Sequence, residues 1–431
     1  MNPMASWIRL AYSLLLGACL SLPWSGVPAS QGPAGETKTV SKAFFGMHIH
    51  HADTSTSWPG IAIGSFRAWD AHTTWVDLEP AKGKWNFSRL DRLVSLATDH
   101  SVSIMLTLGG TPNWASARPD ESSAYGRGFA AEASNLNDWA NYVRTVATRY
   151  RGRIKMYELA NEPYFRELDA AREQRFFSGS VKTMVTMASM ARKVLKEIDP
   201  EIQLISPGFD NHADRLELFL KNGGGKLVDG VAVHLYTSDQ NPEAILANIK
   251  EFKSVLAKYK LNDKPLFCTE IGYDPDWIPR KAMLLPFPDL LAAYIARVHV
   301  LGAAAGLGAI YWYSWDGLGG GLADAASGSL NKAGKAYAQT LRWLQGSSVR
   351  GCQTEDGSLW TCDLVKGNRT ARMVWNTKGN RQWSLPANWA AMEYESLTGT
   401  VAGVAKNNVV QIGPAPVLIK SDTLPWANEN S

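Results

Sequence analysis

From about Phe45 to Gln345, short apolar runs alternate with longer amphipathic stretches. The short runs read as strands: Phe45–His48, Ala62–Trp69, Ser103–Leu108, Lys155–Ala160, Ile202–Ser206, Gly230–Leu235, Pro265–Thr269 and Ala309–Tyr313. They are nearly continuously apolar, as strands of a parallel sheet buried on both faces are. Between most of them apolar residues recur at helical spacing. Ser88–Asp99 opens on a Ser placed to cap and continues with Leu90, Leu93, Val94 and Leu96. Asn135–Tyr150, Ser178–Ile198, Pro242–Tyr259, Asp289–Ala305 and Asn331–Gln345 repeat the pattern. Eight strands alternating with helices predict an α/β fold, a (β/α)8 TIM barrel over residues 41–345. After about Gly346 the helical period stops. Ser358–Leu364, Ala371–Trp375, Val409–Ile412 and Pro416–Ile419 are short runs separated by Gly, Asn and Asp. They predict a small C-terminal antiparallel β-domain over 346–421 that buries Leu359, Trp375 and Val417 against the N-terminal barrel helices or the flank near strand eight.

The first 29 residues read as a signal peptide: Arg9, the apolar stretch Leu10 to Leu22, then small residues at Val27-Pro28-Ala29. The apolar stretch is too short for a stable membrane span. Leu16-Gly17-Ala18-Cys19 also resembles a bacterial lipobox, which would place a lipid anchor at Cys19. Either route exports the chain to the periplasm or the medium. Residues 30–40 read as a flexible linker. In an oxidising compartment Cys352 and Cys362, close in sequence, are a candidate disulfide, and Cys268 in its apolar strand reads as a buried free thiol.

At 45% hydrophobic and 19% charged residues, the chain is globular rather than disordered. A net charge of +4 without a long basic run argues against nucleic acid as a partner. The 17 Trp are many for this length; most read as core, but Trp also offers flat faces to sugar rings.

Two carboxylates carry the candidate chemistry. Glu162 closes Tyr157-Glu158-Leu159-Ala160-Asn161-Glu162-Pro163 just past the fourth strand, and Glu270 comes just after the seventh. Pro163 stops the chain from continuing as strand, so the Glu162 side chain leaves the sheet. In a barrel of this kind, chemistry sits at the C-terminal strand ends. Two carboxyl groups facing each other there can serve as acid and nucleophile in glycosidic bond cleavage. The bland alternative is a rim salt bridge.

The chain resembles the clan A retaining glycoside hydrolases. The stretch Trp75-Val76-Asp77-Leu78-Glu79-Pro80 with Gly83-Lys84-Trp85-Asn86-Phe87 and Leu90-Asp91 is similar to the segment after strand two in families 39, 42 and relatives. Leu106-Thr107-Leu108-Gly109-Gly110-Thr111-Pro112-Asn113-Trp114 resembles their strand-three end and makes Trp114 a candidate substrate contact. The resemblance is strongest to family 39, the β-xylosidase and bacterial exopolysaccharide endoglycosidase group. It implies Glu162 as acid/base and Glu270 as nucleophile, a poly- or oligosaccharide substrate, and no cofactor or metal. It further implies that Asn161 contacts the sugar 2-hydroxyl, and that His234 or Tyr236 at the end of strand six holds the nucleophile, with Arg67 at the end of strand two. Trp312 and Trp315 read equally as a sugar-subsite floor or as core, and His48 and His50 as sugar ligands. A zinc reading of the His residues lacks an acidic or Cys partner at metal spacing. Two rival readings are a carbohydrate-binding pseudoenzyme that has lost turnover, and an acid-dyad hydrolase of another bond such as a peptide. Trp360 and Trp383 are rival binding platforms in the β-domain.

Overall fold

The computed structural model describes residues 38–169, 176–237, 241–273, 287–317, 320–405 and 407–426. The expected signal peptide with Cys19, and residues 30–37 of the expected linker, lie outside the described residues. Among the described residues no helix is long and apolar enough to cross a membrane.

Eight parallel strands close into a barrel in sequence order: β1 Phe45–Met47, β2 Ser65–Ala68, β3 Ser103–Thr107, β4 Met156–Glu158, β5 Gln203–Phe209, β6 Gly230–His234, β7 Leu266–Gly272 and β8 Ile310–Tyr313. Side chains alternate between two cores, as the two-residue period of a strand requires. Met105, Met156, Ile205, Ala232, Phe267, Ala309 and Tyr311 fill the barrel interior. Their sequence neighbours Leu106, Tyr157, Leu204, Val231, Leu266 and Ile310 face the surrounding helices. Gly46 on β1 belongs to the interior set. A Cβ there would lie 2.5 Å from the Tyr311 ring, so the barrel closes around Tyr311 only with glycine opposite.

Two strands end differently from the sequence reading. β5 runs on through Pro207 to Phe209, and the register against β6 shifts between Ile205 and Gly208. A proline is tolerated at such an irregularity because no ladder N–H is needed there. β7 runs through Glu270 to Gly272, so Glu270 lies inside the strand and not after it, between register shifts on both sides.

The C-terminal part forms a six-stranded antiparallel sheet and a two-stranded one. The larger sheet has the order β14 (Val401–Gly403), β13 (Glu393–Ser396), β16 (Val417–Lys420), β11 (Arg369–Asn376), β10 (Leu359–Lys366), β9 (Ser348–Glu355). The smaller pairs β12 (Arg381–Ser384) with β15 (Val409–Ile412). Cys352 and Cys362 sit opposite each other on β9 and β10 and form a disulfide; Cys268 is free and buried.

One face of the larger sheet shares the barrel's hydrophobic core through Leu364, Met373, Trp375 and Leu418, joined by Trp426 beyond the last strand. The covering helices are Phe287–Ala304, against β9 and β10, and Lys332–Leu344 after β8, where Trp343 donates to Glu395. The partner surface is therefore the flank near strand eight and not the N-terminal barrel helices. Leu359 and Val417 instead join a second core within the β-domain. Glu243, on a 3-10 turn ahead of helix Ile245–Lys258, accepts from Arg297 Nε at 2.7 Å and from Trp375 Nε1 at 2.7 Å. Val40 donates to the Ser347 carbonyl at 2.8 Å, tying the chain entering the barrel to the start of the β-domain.

Candidate active site

One step of the strand period above the apolar interior, the same strands present polar residues. His48, Arg67, Thr107, Glu158, His234 and Tyr313 each lie two positions beyond an inward residue: Gly46, Ser65, Met105, Met156, Ala232 and Tyr311. They form a layer at the C-terminal mouth of the barrel. A guanidinium with no exposed surface is tolerable only when several acceptors surround it. Arg67 finds three: its Nε donates to Glu158 Oε2, its Nη1 to Glu270 Oε2 and its Nη2 to Asn161 Oδ1, each at 2.8 Å.

Glu162 reaches the same mouth by a different route. Its backbone takes φ of +29°, a left-handed conformation unusual outside glycine. Gly208 on β5 holds it there: the Gly208 N–H donates to the Ala160 carbonyl at 2.9 Å, and the Gly208 carbonyl accepts from the Glu162 N–H at 3.0 Å. The carboxylate then meets His234, whose Nδ1 donates to Glu162 Oε1 at 2.8 Å and lies 4.0 Å from Glu270 Oε2. Tyr236 donates to Glu270 Oε1 at 2.9 Å. One oxygen of Glu162, one of Glu270 and a ring nitrogen of His234 all lie within 4.8 Å of one another.

The electrostatics follow from burial. Burial pushes the Glu270 carboxyl above its ordinary range; the charges of His234 and Arg67 oppose this, while Glu162 and Asp70 add to it. Burial also works against a charged His234, but the charge of Glu270 and the hydrogen bond and charge of Glu162 outweigh it, and its pKa is raised. Burial and then the charge of Glu270 raise the Tyr236 phenol well above its ordinary range, so it stays a donor. Glu162, His234 and Glu270 have the spacing of metal ligands. The Arg67 guanidinium already occupies the inner side of Glu270, however, and its fixed positive charge opposes a cation there.

The sequence-predicted residues divide. Glu162, Glu270, Asn161, Arg67, His234 and Tyr236 come together. His234 lies closer to Glu162 than to Glu270, so the two residues ending strand six divide the work: Tyr236 on one carboxylate, His234 on the other. Asn161 gives its oxygen to Arg67 and keeps its NH2 as a donor. Four expectations are corrected. Trp312 and Trp315 have no exposed surface. Trp312 stands on the outward face of β8, its Nε1 donating to the Gly320 carbonyl, and Trp315 donates to Ser57; both are core and floor no subsite. His48 is fully buried, its Nε2 donating to the Thr269 carbonyl at 3.0 Å, so it supports the barrel wall and touches no sugar directly. Trp114 is spent on the protein: it donates to the Glu79 carbonyl and packs edge-on against Trp75. His50 stays at the rim, half-buried. Its Nδ1 lies 3.1 Å from Asp316, and that partner outweighs burial and raises its pKa.

Sequence reasoning missed Tyr313, Asp70, Asp316 and Glu158. Tyr313 is the inward neighbour of Trp312 and donates to Asp70 at 2.8 Å; Tyr125 donates to the other Asp70 oxygen. The two-residue period of β8 gives Tyr313 only once Tyr311 is known to fill the barrel, because whichever of Tyr311 and Trp312 does so decides which residue reaches the mouth. Glu158, a charge inside an apolar strand, needed the same explanation as Arg67.

Residues 67–269 match the model of glycosyl hydrolase family 10. The match begins at Arg67, includes Glu162 and ends one residue before Glu270. Over 150 residues the chain is 27% identical to an endo-1,4-beta-xylanase of Agaricus bisporus, a stretch covering 35% of this chain and 40% of that protein. The chain thus spans less than half the length of that curated relative. Among solved structures, a GH39 β-xylosidase from Caulobacter crescentus superimposes with a TM-score of 0.61 at 16% identity, covering 89% of this chain and 97% of that one. A GH30 endoxylanase from Clostridium papyrosolvens C71 gives 0.58 at 14% identity, covering 90% and 98%. The match over 67–269 likens the barrel to glycosyl hydrolase family 10, and the chain shares the barrel fold of the GH39 β-xylosidase and the GH30 endoxylanase.

Proposed function

We propose that the protein is an exported retaining β-glycosidase acting on a poly- or oligosaccharide by double displacement. The observation that carries this reading is the approach of Glu162 and Glu270 oxygens to within 4.8 Å. Retaining enzymes hold their two carboxyl groups roughly 5–5.5 Å apart, whereas inverting ones leave roughly 6.5–9.5 Å for a water. Glu270, held by Arg67 and Tyr236, attacks the anomeric carbon. Glu162 gives its proton to the departing glycosidic oxygen, and a glycosyl ester forms on Glu270. Glu162 then takes a proton from water, which attacks the same carbon and frees Glu270. The Asn161 NH2 meets the sugar 2-hydroxyl, a contact that strengthens in the transition state. His50, Asp70 and Tyr313 lie close enough to Glu270 to feel its charge and are the polar groups offered to the sugar beside it.

The relatives are named as xylan- and xyloside-cleaving enzymes, so aryl β-xylosides and xylan are the first substrates to try, and bacterial exopolysaccharides the next. Export rests on the leader-like first 29 residues, and the Cys352–Cys362 disulfide supports it. The test is proton NMR of the first product released from whichever aryl β-glycoside is cleaved. The β-anomer should appear first; the α-anomer appearing first would sink the double displacement.

A further inference from the structure

At the barrel mouth, Glu158 is a buried carboxylate that this mechanism leaves unused. It stands on β4 four residues before Glu162 and has no exposed surface. Its Oε2 accepts from Arg67 Nε at 2.8 Å and from Thr107 Oγ1 at 2.6 Å. Its Oε1 has no hydrogen-bond partner, and neither has His234 Nε2, although both atoms are buried. The two converge on one point. A Cβ on Gly208 would lie 2.4 Å from His234 Nε2 and 3.0 Å from Glu158 Oε1. A buried polar atom left unpaired is costly, and here a potential donor and an acceptor lie across a bare glycine from each other.

We infer that Glu158 is a positioning residue that joins Arg67 to His234, hydrogen-bonding the Nε2–H of His234 directly or across one water, with Gly208 kept free of a side chain so that the two can meet. The result is a chain of alternating charge through the active site: Glu270, Arg67, Glu158, His234, Glu162. Each cation sits between two carboxylates. Glu158 thereby joins Glu270 and Glu162 in keeping His234 protonated on both nitrogens beneath the acid/base, where the ring's charge steadies Glu162 each time that group gives up its proton. The groups facing His234 are Glu162, Glu270 and Glu158 with negative charge, Arg67 with positive charge, and His48. The inference deepens the double-displacement reading and rests on it for its catalytic meaning, but its physical content can be measured separately.

The experiment uses the full chain labelled with 15N-histidine, the His234 signals being assigned by their loss in His234→Asn. In the wild type at pH 7 both His234 nitrogens should show imidazolium shifts; a neutral ring would overturn the inference outright. Glu158→Gln should turn the ring neutral at that pH and lower kcat about tenfold or more while KM moves less than about threefold. It should also move both limbs of the pH–rate profile to lower pH, because removing a negative charge lowers the proton affinity of every neighbour. Gly208→Ala, which changes no charge, should also turn the ring neutral by separating the pair. An unchanged His234 signal and pH profile in a folded Glu158→Gln protein would contradict the inference. The His234 signal decides this whatever the product stereochemistry proves to be, so its failure and that of the retaining mechanism are distinguishable.

Discussion

Two of the molecule's buried arginine–carboxylate clusters use the same chemistry in opposite ways. At the joint between barrel and β-domain, Arg297 meets Glu243 alone. Both carboxylate oxygens are taken by Arg297, and Trp375 adds a third donor. At the barrel mouth, Arg67 is divided among Glu158, Glu270 and Asn161. Glu270 shares its surroundings with the carboxylates of Glu162 and Asp70, and Glu158 and His234 face each other across Gly208. The joint is matched one to one, which is what a stable buried ion pair needs. The mouth carries more carboxylates than the nearby cations neutralise and is held by the closed barrel around it. Such an arrangement lowers stability locally and leaves lone pairs to act on a substrate.

Paired substitutions would break this contrast if it is wrong. Glu270→Ala should cost about 10^4-fold or more in turnover while the melting temperature stays within a few degrees of wild type, since Arg67 keeps Glu158 and Asn161. Glu243→Ala should do the reverse. It strands Arg297 and the Trp375 N–H in the joint and should cost about 3–5 kcal/mol of stability, with kcat per folded molecule unchanged. Activity assays on the soluble fraction, together with thermal melts, read both effects. A Glu243→Ala protein that melts normally would mean that the joint does not hold the two parts together.

A smaller effect separates buried charge from buried neutral groups. His299 lies in helix Phe287–Ala304, stacked on Phe45, with Nδ1 donating to the Ile295 carbonyl, and burial lowers its pKa to about 4. The folded state resists protonating this ring, whereas the unfolded chain protonates it near the ordinary 6.5. Stability is therefore complete above about 6.5 and falls as the pH drops toward 4, by at most about 3 kcal/mol. Buried His48, whose pKa burial and then Arg67 push well down, adds in the same direction. Urea melts at pH 7 and pH 4.5 should show this loss, and His299→Phe should reduce it. An identical loss in the variant would remove His299 from the explanation.

The barrel was legible because the strands are short and nearly continuously apolar while most helices are apolar on one face; Phe287–Ala304, buried on every face from Leu290 to Gly302, is the exception. The proposed catalytic pair drew attention in the sequence because Glu162 precedes a proline at a strand end. Glu79-Pro80 shows the limit of that signal. Glu79 stands in the same dipeptide but spends its carboxylate on Trp75 Nε1 and the Gly83 N–H, a purely structural use. The inward and outward faces were harder to read. With both faces apolar, Tyr311-Trp312-Tyr313 gives no hint of which residue fills the barrel, so Trp312 looked as suitable for a sugar as Tyr313. The extension of β5 past Pro207 was hidden for another reason: the irregularity at Ile205–Gly208 that admits the proline is a property of the neighbouring strand. That extension carries Gly208, which holds Glu162 in its left-handed conformation.

The central claim is that Glu270 becomes covalently bonded to the sugar. The most direct measurement uses the 2-deoxy-2-fluoro analogue, with an activated leaving group, of whichever aryl β-glycoside the protein cleaves. The fluorine slows both steps and the leaving group rescues the first, so the glycosyl-enzyme accumulates. Intact mass should rise by one fluoroglycosyl unit as activity disappears, and peptide mapping should place the added mass on Glu270. Inactivation with the label on Glu162 or another residue, or steady turnover with no adduct at all, would contradict the account.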